Sequence, residues 1–224
     1  MAHPERGGAA GEATAGQDDR EALEMKIRVY FDAGDMRRAA TALLQGYGRE
    51  ILGFLVGRLR DRGAAGEAFS LFTEDLWKGL EGFRWQSSAR VWAYALARHA
   101  ASRHIEDMQK RRKRHQPLSH AGPLSAIEQK IRTTTFAAAR TDTRNRIARL
   151  RESLPTDEQT ILILRVNRNL DWKEIAQVMT ENGVGLEGAA LDKEAARLRK
   201  RYQLAKDKLR RLAQKQGLLA KDGD

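Results

Sequence analysis

The chain has 224 residues, of which 41% are hydrophobic and 32% charged, and its formal net charge at pH 7 is +11. This length suits one large domain or two small ones, and the excess of positive charge favours a polyanionic partner. The sequence has no cysteine, which excludes disulfides, thiolate zinc sites and thiol catalysis, and no apolar run near the roughly 20 residues that span a membrane, so we expect a cytoplasmic protein without membrane contact.

The amino-terminal half predicts a helical domain over residues 21–114. Residues 1–20 are rich in Gly, Ala and acids and lack the apolar core of a signal peptide, so we expect a disordered leader. Apolar residues then recur at helical spacing, and glycines mark the expected breaks. The pattern predicts four helices: about 18–31, one that Asp35 caps, 67–81 after a break at Gly63 and Gly66, and about 88–108.

Residues 115–140 differ in character from the segments on either side. The first part of this stretch contains residues that interrupt helices, Pro117, Gly122 and Pro123. Only a weak helical pattern follows, formed by Ile127, Ile131 and Phe136. We interpret this stretch as a linker that is partly helical.

The carboxy-terminal half predicts a second helical domain over residues 141–220. Its pattern begins with an amphipathic helix seated on Ile147, Leu150 and Leu154, followed by an apolar segment, TILILRV, for which a buried helix is favoured over a strand. Asp171 and Glu174 then have the spacing of a capping box at the start of a short helix. A loop and a long helix from about 192 to 216 complete an all-α chain of two helical domains joined by a linker.

The last helix separates its side chains into an apolar face and a basic face. Leu198, Tyr202, Ala205, Leu209 and Leu212 share one side, while the charges between 193 and 215 are almost all basic. A short capped helix followed by a longer helix with a basic amino-terminal end is the helix-turn-helix arrangement, which places such an end in the major groove. We therefore expect DNA contacts from this end rather than a surface that serves only solubility. The candidates are Lys193, Arg197, Arg199, Lys200 and Arg201.

A second concentration of rings and positive charge lies in the loop and helix FRWQSSARVWAYALARHAASR, residues 83–103. Unstacked bases bind where aromatic surface and cationic side chains occur together. Trp85 lies in the loop, where no helical periodicity requires a ring, so we expect it to contact a base, whereas Trp77, Trp92 and Trp172 are expected in the core. The candidate contacts with melted DNA are Arg84, Trp85, Gln86, Ser87, Ser88, Arg90, Arg98 and Arg103.

The sequence shows no pattern typical of an enzyme or a metal site. His99 and His104 have no third ligand at a helical spacing. The glycine-containing segments GYGRE and GAAGEA lack the Lys-Ser/Thr pair and the preceding strand of a phosphate-binding loop. We expect no catalytic residues, no cofactor and no metal.

Taken together, these motifs resemble those of the extracytoplasmic-function sigma factors of bacterial RNA polymerase. The family's promoter-melting stretch typically runs F-R-x-x-S-S-F-R-x-W-L-Y-x-I-A-R-N, and residues 83–99 read FRWQSSARVWAYALARH. The family's second motif, L-P-x-x-x-R, an apolar run and L-S-x-x-E-I-A, is similar to LPTDEQTILILRVNRNLDWKEIA, residues 154–176. The resemblance covers about residues 36–114 and 141–215.

This resemblance implies a dissociable initiation subunit. The first domain, like the family's region two, would bind core RNA polymerase and the melted −10 element; the second, like region four, would bind the −35 duplex. Core polymerase would be contacted through the third helix, by Glu67, Ser70, Glu74 and Asp75. Whether an anti-sigma factor binds the chain, which promoters it reads and which signal activates it stay open.

The chain departs from the family pattern at three places. The family's E-D-x-x-Q aligns with residues 66–70, GEAFS, so one acid and the amide are lost. His99 stands where the family has Asn, and Ala89 replaces an aromatic residue. The loop ENGVGLEGAALDK is longer than the usual turn of the helix-turn-helix.

Two alternatives remain from the sequence. The first is a helix-turn-helix regulator that binds duplex DNA without polymerase, which leaves the Trp- and Arg-rich loop unexplained. The second is a helical scaffold whose charge serves solvation or binds an acidic protein, which leaves the single-signed last helix unexplained.

Overall fold

A computed structural model describes residues 8–112, 127–132, 150, 152–180 and 185–219. Every regular element within these residues is helical, which confirms the all-α prediction for this part of the chain. The elements are α1 (Gly8–Asp32), α2 (Met36–Leu59), α3 (Arg62–Gly79), a 3₁₀ turn (Leu80–Gly82), α4 (Ala89–Arg112), the linker helix (127–132), α5 (Thr156–Leu162), a π-helical turn (Ile163–Asn167), α6 (Trp172–Met179) and α7 (Gly188–Lys215).

Aspartates begin several of these helices, because a carboxylate can accept from backbone N–H groups that have no partner within the helix. Asp35 accepts from the amide of Arg38 at 2.9 Å, as predicted for α2. Asp61 accepts from the amide of Ala64 at 2.6 Å at the start of α3. The predicted break at Gly63 and Gly66 is wrong, since both glycines lie inside α3. The break falls instead at Arg60, whose left-handed backbone (φ 59°) ends α2.

Besides α3, which begins at Arg62 rather than at residue 67, two helices begin earlier in the chain than the sequence pattern predicts. Helix α1 starts at Gly8, within the segment expected to be a disordered leader. Alanine and glutamate in that segment favour helix, and they offset its glycines. Helix α7 starts at Gly188 rather than near residue 192.

The core of the first half lies where α2, α3 and α4 pack together. Phe54 of α2 and Tyr94 of α4 meet edge to face, with ring centroids 5.4 Å apart. Phe69 and Phe72 of α3 are fully buried beside them, and the inner face of α4 consists largely of alanines, which allow close approach. This packing fixes α4, the helix that carries three of the eight predicted contacts with melted DNA and follows the loop that carries the other five.

The second half packs directly on this core. Ile163 and Leu164 of the π-helical turn and Val178 of α6 belong to the same buried apolar cluster as Phe54 and Tyr94. The two predicted domains therefore share one continuous core within the described residues.

Part of the predicted linker also packs against the first half. Ile131 is buried, and its Cδ1 would lie 2.5 Å from a Cβ at Gly48, so the linker helix approaches α2 closely there and a larger residue at Gly48 would require the Ile131 side chain to shift. Phe136 and Ile147 lie outside the described residues. Leu150 and Leu154 are buried, as the amphipathic pattern predicted.

Candidate nucleic-acid interface

The short helix α6 has the predicted capping box. The Asp171 carboxylate accepts from the amides of Lys173 and Glu174, each at 2.8 Å, and the Glu174 carboxylate accepts from the Asp171 amide at 2.7 Å. Burial raises the pKa of Glu174. This reciprocal pair fixes where α6 begins and how it is oriented.

Helix α7 is attached to α6 by an aromatic contact and an ion pair. The rings of Trp172 and Tyr202 meet at 5.2 Å between centroids, close to edge to face. Lys173 Nζ lies 2.8 Å from Asp192 Oδ1 and joins the starts of the two helices, and that contact raises the pKa of Lys173. Because Leu198 is buried on the same side, α7 turns its basic face outward.

The candidate contacts on α7 lie on this outward face, but their surroundings differ. Lys193, Arg199 and Lys200 are exposed. Arg197 is exposed too, and its guanidinium donates to both carboxylate oxygens of Glu194, at 2.8 and 2.7 Å. Arg201 is half-buried and lies 3.7 Å from Asp157 of α5. The face thus presents several cations to solvent, two of which already have acidic neighbours.

The loop before α4 holds Trp85 in an aromatic cluster. Its backbone is left-handed (φ 55°), which is uncommon for a bulky residue. The indole meets Phe31 edge to face at 5.5 Å and Phe83 at 4.9 Å, and Phe83 stacks on Trp92 at 4.6 Å. Arg28 covers the Trp85 ring at 4.7 Å. Trp85 is therefore half-buried rather than presented on a free loop, and its buried Nε1 has no hydrogen-bond partner among the described residues.

The polar candidates of this loop are more accessible. Arg84 and Gln86 are exposed, and Ser87 and Ser88 are partly exposed. Ser88 Oγ accepts from the amide of Val91 at 3.2 Å, so it helps to begin α4. Arg84 is the one cation among the five loop candidates, and its side chain is exposed.

The three arginines of α4 that we expected to contact DNA all have partners within the chain. Arg90 is buried and paired with Glu50 of α2, with 2.7 Å between Nε and Oε1. Burial opposes the charge of Arg90, but the Glu50 carboxylate outweighs it and raises the pKa of the guanidinium. Arg98 donates to backbone carbonyls of the second half, and Arg103 pairs with Asp75 of α3. Only Arg103 is exposed.

Glu24 of α1 is a residue that sequence reasoning missed. Its carboxylate accepts from the amides of Ala89 and Arg90, at 2.8 and 2.9 Å, and from the Tyr47 hydroxyl at 2.7 Å. Burial, together with the negative charge of Glu24, raises the pKa of Tyr47. Glu24 therefore satisfies the first amides of α4 in place of a residue adjacent in sequence. Glu24 lies 65 residues before Ala89 in the sequence, so no rule based on sequence spacing could have identified it as a capping residue of α4.

The expected polymerase-binding residues lie along α3 and have local partners. Asp75 pairs with Arg103, Glu74 pairs with Lys78 at 2.6 Å, and Glu67 lies 3.7 Å from the buried His104.

Ser70, the fourth of these residues, meets the linker helix. Its hydroxyl bonds the carboxylate of Glu128, which also accepts from Thr73 at 3.2 Å. The linker helix thus covers part of the surface on which we expected polymerase to bind.

Among the described residues, His, Asp and Glu form no group of three or more that could hold a metal ion. Burial, with Arg98 and Arg103 nearby, lowers the pKa of His99. None of the helices in the described ranges is long and apolar enough to cross a bilayer.

Comparison with models of known protein families finds no match for this chain, and comparison with curated protein sequences also finds none.

Proposed function

We propose that this chain is a sigma factor of the extracytoplasmic-function type, which directs core RNA polymerase to promoters. The observation that carries the proposal is the exposed basic face of α7, oriented by a capped α6 through Trp172 and Tyr202. This is the arrangement that a helix needs to enter a major groove, and it occurs in the half whose motif resembles the family's −35-binding region.

The first half would supply the other functions of an initiation subunit. Residues 21–114 would act as one domain and residues 141–220 as another, joined by the linker over 115–140. Helix α3 would bind core polymerase, while Arg84, Trp85 and Gln86 would hold the melted −10 strand. The aromatic cluster around Trp85 supports this role, because a ring that is already fixed can stack on a base with little loss of conformational freedom. This role requires no catalytic step by the chain and places it in the cytoplasm with the polymerase.

A second candidate, a helix-turn-helix regulator that acts without polymerase, is favoured by one observation. Arg90 and Arg98 are engaged inside the chain, whereas the basic face of α7 is exposed. A protein that bound only duplex DNA through α7 would need no change in these contacts.

Run-off transcription with purified bacterial core polymerase separates the two candidates. We expect promoter-dependent product from a library of genomic promoter fragments, with start sites downstream of paired −35 and −10 elements. Duplex binding without transcript, and without association with core polymerase, would refute the sigma factor and leave the regulator. The matched control is Lys193→Ala with Lys200→Ala, which should lose −35-dependent product while still binding core polymerase.

A further inference from the structure

A groove opens between the last turns of α1 and the first turns of α2, and none of the predicted DNA or polymerase contacts lines it. Its volume is about 480 Å³, which is within the range of clefts that hold small molecules. We propose that this α1–α2 groove binds a nucleoside polyphosphate, whose phosphates contact its cations and whose base stacks on the ring of Tyr30. The inference goes beyond the proposed function and does not depend on it.

A tight turn between the two helices forms the α1–α2 groove. Gly34 has a positive φ of 74°, a conformation that glycine adopts without a steric penalty. The amide of Asp35 donates to the carbonyl of Tyr30 at 2.9 Å, so α2 starts directly beside the last turns of α1. Side chains of both helices therefore line the same space, with Lys26 on one side and Arg37 on the other.

Positive charge predominates along the α1–α2 groove. Its cations are Lys26, Arg37 and Arg38, and its one carboxylate is that of Asp35. Arg38 pairs with Asp35 at 3.4 Å, whereas the side chains of Lys26 and Arg37 have no hydrogen bond or ion pair with another described residue. Phosphate oxygens accept strong, charge-assisted hydrogen bonds from such groups. A ligand with at least two negative charges would therefore supply the partners that these two cations lack within the described chain.

The other side chains of the α1–α2 groove suit a nucleoside. Tyr30 is half-buried and packs against the core, so its ring is already held in place where it lines the groove. A base can stack on a fixed ring with little loss of conformational freedom. Thr41 and Gln45 also line the groove, and neither side chain has a hydrogen-bond partner among the described residues. Their hydroxyl and carboxamide offer donors and acceptors to a ribose and to the edge of a base.

Titration calorimetry of the full chain at low ionic strength tests the site. We expect ATP and GTP to bind with one ligand per chain, and their affinity should fall as salt is added. Tripolyphosphate should bind more weakly because it lacks the base, and adenosine should not bind measurably because it lacks the phosphates. The absence of ATP and GTP binding at millimolar concentrations would overturn the proposal. Equal affinity for ATP and tripolyphosphate would also overturn it, since the groove would then select only charge.

Substitution of a groove cation tests where the nucleotide binds. Arg37 is exposed, so Arg37→Ala should leave the fold intact and weaken ATP binding about tenfold through the loss of a charge-assisted hydrogen bond. The matched control is Lys110→Ala, which removes one exposed positive charge near the end of α4, outside the groove. This control should leave ATP affinity unchanged. Equal losses in the two variants would show that ATP responds to net charge, which would overturn the proposal.

Substitution of the ring separates base stacking from a general loss of structure. Tyr30→Leu should lower the affinity for ATP to that for tripolyphosphate and leave the affinity for tripolyphosphate unchanged. Equal losses for both ligands in a folded variant would overturn the assignment of a nucleoside. Should Tyr30→Leu not fold, by circular dichroism, the comparison of ATP with tripolyphosphate on the wild type decides alone.

A short single-stranded oligonucleotide distinguishes a free nucleotide from a nucleic acid. Because none of the predicted DNA contacts lines the groove, Arg37→Ala should leave the affinity for the oligonucleotide unchanged while it weakens ATP binding. If Arg37→Ala weakens the binding of both probes equally, the groove binds a nucleic-acid backbone, and the proposal of a nucleoside polyphosphate site is overturned.

Discussion

Arg90 and Glu50 form a buried ion pair that joins α4 to α2, with 2.7 Å between Nε and Oε1. The same guanidinium donates to the Arg168 carbonyl, so the pair also contributes to the contact between the two halves. Arg90, which the sequence pattern predicts to contact DNA, therefore has a structural role in the folded chain, where it holds α4 against α2.

Replacing Glu50 by Gln should destabilise the protein. It leaves the buried Arg90 without its counter-charge, and we expect a loss of about 2 kcal/mol in the free energy of unfolding. Urea denaturation measures the change. The control is Glu74→Gln, which breaks an exposed pair with Lys78 and should cost at most about 0.5 kcal/mol. Equal losses in the two variants would contradict a structural role for the Glu50 pair.

Removal of the capping box should weaken the start of α6. Asp171→Ala deletes the acceptor for two amides and should cost about 1 kcal/mol, whereas Asp171→Asn keeps an acceptor and should cost much less. Thermal unfolding measures both. Because α6 orients α7, we also expect Asp171→Ala to weaken binding of −35 duplex DNA. A variant that loses stability but binds normally would show that α7 holds its orientation without the cap.

The basic face of α7 should respond to substitution according to the partners of each residue. Lys200→Ala removes an exposed cation and should lower the slope of log affinity against log salt by about one unit for a lost phosphate contact. Arg201→Ala should have a smaller effect, because Arg201 is half-buried near Asp157. Fluorescence anisotropy with a −35 duplex over a range of salt concentrations measures both slopes. An unchanged slope for Lys200→Ala would remove that residue from the interface.

Trp85 should affect both stability and promoter opening. Trp85→Ala removes the ring contacts with Phe31 and Phe83 and should cost about 2 kcal/mol, while Trp85→Phe should retain much of this packing. We expect the Ala variant to bind −35 duplex normally and to open promoters poorly in a permanganate footprint with core polymerase, measured well below its melting temperature. Normal opening under those conditions would make Trp85 purely structural.

His99 predicts how stability changes at mildly acidic pH. Its pKa in the folded chain is lowered below the ordinary 6.5 by burial and by Arg98 and Arg103. Between the ordinary pKa of 6.5 and the lower pKa of the folded chain, the unfolded chain binds a proton that the folded chain does not. The contribution of neutral His99 to stability is therefore present at neutral pH and is lost as pH falls through this range. Urea midpoints at about pH 7.5 and 5.5 should therefore differ more for the wild type than for His99→Gln. The same pH dependence in both proteins would exclude His99 as its source.

Local patterns in the sequence predicted the elements that depend on near neighbours. The helix after Asp35, the capping box of Asp171 and Glu174, and the buried face of Leu198 and Ala205 all follow from side chains a few residues apart. Such contacts form within one helix, so spacing alone identifies them. The predicted break at the glycines of α3 was wrong because a glycine can either end a helix or allow another segment to pack closely against it. Gly66 allows close packing, since a Cβ there would lie 2.6 Å from Arg132.

The sequence by itself determined an all-helical, strongly basic chain whose last helix has one apolar face and one basic face. Only the tertiary structure decided which cations are free for a partner. Arg90, Arg98 and Lys200 look alike in a sequence, yet Arg90 meets Glu50 and Arg98 meets the end of α6, while Lys200 faces solvent. The physical reason is distance along the chain: the partners of Arg90 and Arg98 come from remote segments, and only the packing of helices brings them within hydrogen-bonding range.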